Sequence, residues 1–295
     1  MEAQRALLPD LGLGPAKPIL KWAGGKAQLI RELRACLPKH FGRYVEPFLG
    51  GGALFFDLGV PGGLVADSNP ELINFYEAVR DDPDGLLSVL RHMVISKEEF
   101  YRWRAVEPES LDKSVRAARF LYLNKTCYNG LHRVNKRGQF NTPFGGRTDV
   151  RIVDSANLRR ACAILRTAEM RCADFADVLA STRSGDFVYL DPPYLPLGGY
   201  SDFRRYTREF FGAEDHFRLA RAFRALSDRG VALLLSNSAH PTIEALYSGF
   251  HMVRVKASRY INCRAEGRGH IAELLIANYP LEIRDVVSGH QIHGQ

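Results

Sequence analysis

Two kinds of hydrophobic patterning alternate along the chain. Short segments at residues 44–48, 64–66, 169–172, 187–190, 231–235, 251–257 and 271–278, most of them apolar, read as β-strands. Between them, apolar residues recur at helical spacing. Leu29, Ile30, Leu33 and Leu37 mark one helix, and residues 53–58, 176–180 and 217–228 mark others, the last closed by Gly230. The run 64–66 stops at Asp67, after which Ser68 and Asn69 can cap a helix whose first turn holds Pro70 and Glu71. From residue 70 to 126 the pattern is helical throughout, with Ser96 and Glu99 at the spacing of a capping box. Val115, Arg119, Leu121, Tyr122 and Leu123 predict a helix buried along one side. Residues 127–150 switch to Asn-Gly, Arg-Gly and Gly-Gly steps, which predict a hairpin or long loop. Residues 1–17 and the last ten lack periodicity and read as a mobile arm and a tail. Strands separated by helices predict a doubly wound α/β sheet, interrupted by a helical insertion of about 80 residues.

Composition adds exclusions. With 46% hydrophobic and 25% charged residues, the 295-residue chain has a soluble globular profile. No run of 18 apolar residues offers a membrane span, and no basic start followed by an apolar core predicts export. Cys36, Cys127, Cys162, Cys172 and Cys263 are scattered without a CxxC pair, so reduced thiols in a cytoplasmic protein without a metal site are expected. Charge changes the picture more. Residues 67–112 hold eleven acidic and five basic side chains, whereas 116–151 hold eight basic ones and a single acid, Asp149. Such a reversal suits a face that meets a polyanion, although a solvated helix and loop reads the same way.

Candidate chemistry lies where ligands of doubly wound sheets bind, past the carboxyl ends of strands. Residues 46–52 (Glu46, Pro47, Phe48, Leu49, Gly50, Gly51, Gly52) form a glycine turn between strand and helix, with Phe55 standing where a full GxGxxG fingerprint has its third glycine. Asp67 follows about 20 residues beyond the first strand, a spacing common to ribose-binding acids and also open to a helix cap. Trp22 and Lys26 flank Gly24 and Gly25, so this turn can wrap a cofactor tail or simply join the core. The sharpest signal is Asp191-Pro192-Pro193-Tyr194 after the apolar run 187–190. The prolines end the ladder and leave outward-pointing carbonyls. An exocyclic ring amine is a poor nucleophile because its lone pair is delocalised. The Asp191 carboxylate and the Pro192 carbonyl can each bond one amine hydrogen and draw the nitrogen toward tetrahedral geometry, while Tyr194 stacks on the base. A strand-terminating turn with a solvated Asp is the bland alternative.

Together these segments resemble the Dam family of adenine methyltransferases, the D12 class, over roughly residues 18–280. The motifs that carry the resemblance are LKWAGGK (20–26), VEPFLGGGALFF (45–56), LVADSNPELINFY (64–76), FLYLNKTCYNGLHRVNKRGQFNTPFG (120–145), ADF (173–175), VYLDPPY (188–194) and AELLIANY (272–279). Any one could mislead; all in this order is highly specific.

The resemblance implies a Rossmann-like methyltransferase sheet made by residues 1–68 and 152–295, with 69–151 as an inserted target-recognition domain. It implies S-adenosylmethionine as cofactor, held by Trp22, Gly25, Lys26, Asp67 and Asp191, with Glu46, Pro47, Phe48, Gly50 and Gly52 against its methionine part. Asp174 and Phe175 would face its adenine, and Asp191, Pro192, Pro193 and Tyr194 would be catalytic. In double-stranded DNA, Tyr128 would wedge beside the flipped adenine and Asn129 fill the vacated space. Leu131 and Arg133 would touch base edges, and Lys21 a guanine, while Lys125, Lys136, Arg137 and Arg151 would meet phosphates. After Pro143-Phe144-Gly145 the GATC-specific enzymes tend to carry arginine at once, whereas here Gly146 precedes Arg147. GATC or a related short palindrome is the expected target. The implied protein is a monomeric, nucleoid-associated enzyme without metal or membrane. Cytosine-N4 or RNA amine methylation is the alternative with the same tetrapeptide. A dehydrogenase lacks its glycine fingerprint here, and a silent DNA-binding module has no use for Asp191. Loops 198–211 and 259–269, rich in arginine, glycine and aromatics, are candidate lids or plain surface loops.

Overall fold

The computed structural model describes residues 14–195, 211–258 and 270–281. Seven strands form one sheet: β1 (Tyr44–Glu46), β2 (Leu64–Asp67), β3 (Glu169–Cys172), β4 (Phe187–Leu190), β5 (Ala232–Ser238), β6 (His251–Ser258) and β7 (His270–Ala277), in the order β3-β2-β1-β4-β5-β7-β6. The first five pair in parallel, with Val45 opposite both Leu64 and Val188, and β7 runs antiparallel between β5 and β6. β1 and β4 are apolar without alternation because both faces of a parallel sheet are covered. Successive residues therefore enter opposite cores. Tyr44, Val65, Phe187 and Tyr189 pack on one side of the sheet, while Val45, Leu64, Ala66, Val188 and Leu190 pack on the other.

The helices are α1 (Ile30–Ala35), α2 (Ala53–Leu58), α3 (Pro70–Asp81), α4 (Pro83–Arg91), α5 (Lys97–Ala105), α6 (Lys113–Thr126), α7 (Ser155–Leu165), α8 (Phe175–Ala180), α9 (Ala213–Asp228) and α10 (Pro241–Leu246). Asn69 caps α3, its Oδ1 accepting from the backbone of Glu71 and Leu72. The long connection from β2 to β3 carries α3 to α7. Its helices α3 and α6 share the sheet's own core through Phe75, Tyr76, Phe120 and Leu121, and only Phe100, Tyr122, Leu123 and Cys127 form a separate outer cluster. α6 is buried all round from Ala117 to Asn124, not along one side, because α3, α4 and α5 all pack against it. Its Arg119 donates to the carbonyls of Trp103 and Arg104 at the end of α5.

Several boundaries differ from the sequence pattern. β1 ends at Glu46, since Pro47 has no N–H for the ladder. β5 starts one residue later and runs on through Ser236, Asn237 and Ser238, all buried. The arm reading fails at its inner end. Ala16 is buried with its N–H on Phe56, and Lys17 exchanges two 2.8 Å bonds with the Asn157 amide. The rest of the arm (1–13), the tail, nearly all of loop 198–211 and the whole of loop 259–269 lie outside the described residues.

Candidate active site

The strand order reverses between β1 and β4, and the crevice at their carboxyl ends collects most of the expected cofactor and catalytic residues. Asp191 is the first residue after β4. Lys26 Nζ lies 2.8 Å from its Oδ1 and 3.0 Å from its Oδ2, and Ser236, in the second half of β5, donates to Oδ1 at 2.9 Å. Ser236 is itself 2.9 Å from the Tyr189 hydroxyl. Lys26 is 3% exposed and also donates to the Gly24 carbonyl, so its charge is fully engaged. Oδ1 thus carries two donors and Oδ2 one, which leaves a lone pair on Oδ2 for an incoming N–H. Pro192 is buried, and Pro193 and Tyr194 are half-buried. The Tyr194 ring centroid lies 4.8 Å from Lys26 Nζ, and its hydroxyl donates to Glu273 at 2.8 Å.

The glycine turn is braced from both sides. Asp67 at the tip of β2 accepts from the backbone N–H of Gly50 and of Asn69, and Tyr76 on α3 donates to the Gly50 carbonyl. Gly50 has φ +47, and a Cβ there would stand 2.8 Å from Trp22 Cδ1, so only glycine allows the indole to sit on the turn. Asp67 is not the helix cap, which is Asn69. Burial raises the Asp67 carboxyl to about 6, partly opposed by its backbone bonds. Glu46 is buried with its carboxylate on the Tyr44 hydroxyl. Burial first, then the charges of Asp191 and Asp67, push it well above the usual carboxylate range. Glu46, Asp67 and Asp191 therefore present a concentration of acid that a cationic ligand would relieve.

Beside this turn, Phe48 stacks on Phe175 with centroids 5.4 Å apart. Asp174 caps α8 through the Ala176 N–H and pairs with Arg218, whose guanidinium also lies 4.8 Å from the Phe175 ring. Phe175 is buried and Phe48 half-buried, so Phe48 is the more accessible ring of the pair.

The loop holding Lys21 and Trp22 is tied to the basic segment by residues the sequence reading overlooked. Asn124 on α6 is fully buried. Its Oδ1 accepts from Lys21 N–H at 2.9 Å and its Nδ2 donates to the Lys21 carbonyl at 2.7 Å. His132 stacks on Trp22 with centroids 5.3 Å apart, and burial holds its imidazole neutral at about 4. Gly130 (φ +65) admits the Lys21 side chain, which a Cβ would meet at 2.5 Å. Asn124 and Ser236 each follow an apolar run in the sequence, but nothing local names their partners.

Around that junction, the expected DNA residues are displayed on one stretch. Tyr128 is 46% exposed, and Asn129 is, among the described residues, the one non-glycine with positive φ (54). Tyr128 N–H bonds the Pro143 carbonyl, and Arg133 Nε bonds Asn141 at 2.7 Å. Leu131 is half-buried, Lys136 and Arg137 are exposed, and exposed Arg147 pairs with Asp149. Gly146 (φ +79) stands in open space. Burial, reinforced by the charge of Lys21, lowers the Lys125 ammonium to about 8.

Fold and cleft together define a Rossmann-like methyltransferase. Comparison with known proteins narrows this. The family model of the D12 class N6 adenine-specific DNA methyltransferase matches residues 22–261. The type II methyltransferase M.MjaIII of Methanocaldococcus jannaschii is 41% identical over 286 residues, covering 89% of this chain and 99% of that one. M1.LlaDCHI of Lactococcus lactis subsp. cremoris is 36% identical over 271 residues (89% and 95%), and the DNA adenine methylase of Escherichia coli (strain K12) 34% over 269 (90% and 96%). The chain belongs to the D12 class of N6 adenine-specific DNA methyltransferases. Among the described residues no cluster of side chains suits a metal ion, and no helix is long and apolar enough to cross a membrane.

Proposed function

We propose that this enzyme uses S-adenosylmethionine to methylate N6 of an adenine flipped out of double-stranded DNA, within GATC or a related short palindrome. The observation that carries the reading is Asp191, immobilised by Lys26 and Ser236 at the switch-point crevice and followed at once by Pro192, Pro193 and Tyr194. The cleft's chemistry suits the cofactor: Glu46, Asp67 and Asp191 gather three carboxyl groups about the glycine turn, two of them raised in pKa, so a cation bound there favours their ionised forms, and S-adenosylmethionine carries a sulfonium and an ammonium. When bound, it supplies an electrophilic methyl group. Asp67 keeps lone pairs for ribose hydroxyls beside its two backbone bonds, Glu46 faces the amino-acid end with Pro47, Gly50 and Gly52, and Phe48, Asp174 and Phe175 border the base. Trp22, Gly25 and Lys26 close the near side.

Asp191 Oδ2 accepts one hydrogen of the adenine amine and the Pro192 carbonyl the other, which localises the nitrogen lone pair. The Tyr194 ring carries the base. Because Lys26 and Ser236 are already in place, little reorganisation accompanies charge development at the amine. Extrusion of the base costs a few kcal/mol, offset by stacking on Tyr194 and by Tyr128 and Asn129 entering the gap. Lys21, Leu131, Arg133 and Arg147 read bases, with Pro143 holding the Tyr128 backbone, while Lys125, Lys136, Arg137 and Arg151 hold phosphates. Residues 69–151 make up the recognition domain in this reading, rooted in the sheet's core through α3 and α6.

Plasmid DNA from cells expressing the gene tests both chemistry and target. It is expected to resist nucleases blocked by GATC methylation and to be cut by those requiring it. Methyl incorporation at adenine without that pattern would keep the chemistry and reject the GATC assignment.

A further inference from the structure

We propose that Glu273 is a positioning residue of the reaction: through the Tyr194 hydroxyl it sets the orientation of the ring on which the target base stacks. The inference rests on the reading that Tyr194 carries the base. Tyr194 follows two prolines and lies four residues beyond β4, so the ladder does not hold its side chain. A stacking platform must nevertheless keep its plane, since a base that tilts takes its amine away from Asp191. The 2.8 Å bond from the Tyr194 hydroxyl to Glu273 Oε2 supplies that restraint at the far end of the ring. The anchor is firm, because Glu273 pairs with Ser238 of β5 on one side and Val255 of β6 on the other. Lys26, 4.8 Å from the ring centroid, restrains it from the Asp191 side. Burial and the negative charges of Asp191 and Glu273 hold the phenol far above its ordinary range, so the hydroxyl stays protonated and donates. An unbroken chain of contacts, Asp191 to Lys26 to Tyr194 to Glu273, thus joins the amine's acceptor to the base's platform.

A double-mutant cycle tests this. Tyr194→Phe keeps the ring and loses the donor; Glu273→Leu loses the acceptor; Glu273→Gln keeps an acceptor oxygen. Each of the first two is expected to lower kcat on a target duplex roughly tenfold, with the Kd for S-adenosylmethionine and the melting temperature unchanged. Glu273→Gln should retain most of the turnover, and the double variant Tyr194→Phe/Glu273→Leu should be no slower than the slower single one. Multiplying effects, a Gln variant as slow as the Leu variant, or Tyr194→Phe with wild-type kcat would overturn the proposal. That last measurement stands even if Glu273→Leu does not fold. Tyr194→Ala separates the two levels. Wild-type turnover there would remove the stacking reading itself, whereas lost turnover with an additive cycle would remove only the role of Glu273.

Discussion

In the cleft at the ends of β1 and β4, charges are buried and held by partners from distant parts of the chain. Lys26 meets Asp191 across 165 positions, and Asp67 holds the turn at Gly50. In the basic stretch 127–150 the opposite holds. Arg147 pairs with Asp149 two positions away with both side chains exposed, and Lys136 and Arg137 sit at a tip joined to the rest by isolated bridges, Cys127 to Phe144 and Val134 to Phe140. On the proposed function, the contrast follows from what each region stabilises. A developing charge in a dry cleft gains from dipoles and ions that cannot relax, so rigidity there accelerates chemistry. Phosphates in water are met by screened, exposed cations whose value lies in reach. Asn124 and His132 are the seam, and they join the two regions through Lys21 and Trp22.

The largest expected effect breaks the cleft alone. Asp191→Ala removes the amine's acceptor and strands the Lys26 ammonium, so transfer of labelled methyl should fall by roughly a thousandfold or more. Duplex association in a gel-shift assay should survive. Full activity would sink the mechanism, and lost DNA association would dissolve the contrast between the regions.

Tyr128→Ala acts on the other side. Loss of a stacking aromatic of roughly 1–3 kcal/mol should cut the flipping signal of a fluorescent adenine analogue roughly tenfold or more. The Kd for S-adenosylmethionine should not move. An unchanged flipping signal rejects Tyr128 as the wedge.

The smallest effect sharpens the comparison through pH. Asp67, raised to about 6 by burial, must be ionised to accept ribose hydroxyls. Affinity for S-adenosylmethionine is therefore full above pH 6 and falls below it, by at most about tenfold per unit for one proton. Lys125, lowered to about 8, must be charged to hold a phosphate, so duplex affinity is full below pH 8 and falls above it. Calorimetric titrations of each ligand from pH 5 to 9 on the order of one-unit steps would show the two losses at opposite ends. Loss at the same end for both ligands would contradict the separate assignments.

Much of this is legible in the amino-acid order alone. The β1, β2 and β4 runs, the α3 cap region and the aspartate-proline-proline-tyrosine turn follow from local pattern, because a parallel strand buried on both faces must be apolar and proline must end a ladder. What local pattern could not supply was pairing at a distance. An asparagine in α6 or a serine within β5 shows no partner until α6 lies beside the Lys21 loop and β5 beside β4. Likewise the inner end of the N-terminal arm has no periodicity, yet Ala16 and Lys17 dock because Phe56 and Asn157 present backbone and amide partners to them.

By itself, then, the amino-acid order determined the alternation of strands and helices, the position of the aspartate-proline-proline-tyrosine turn and the concentration of basic residues after 116. All of these depend on neighbours within a few residues. Only the tertiary structure decided that β7 inserts antiparallel between β5 and β6, that Lys26 and Ser236 both close on Asp191, and that Glu273 reaches Tyr194. Each of those brings together groups from strands or loops remote in sequence, and their contact is set by how the two cores close over the sheet.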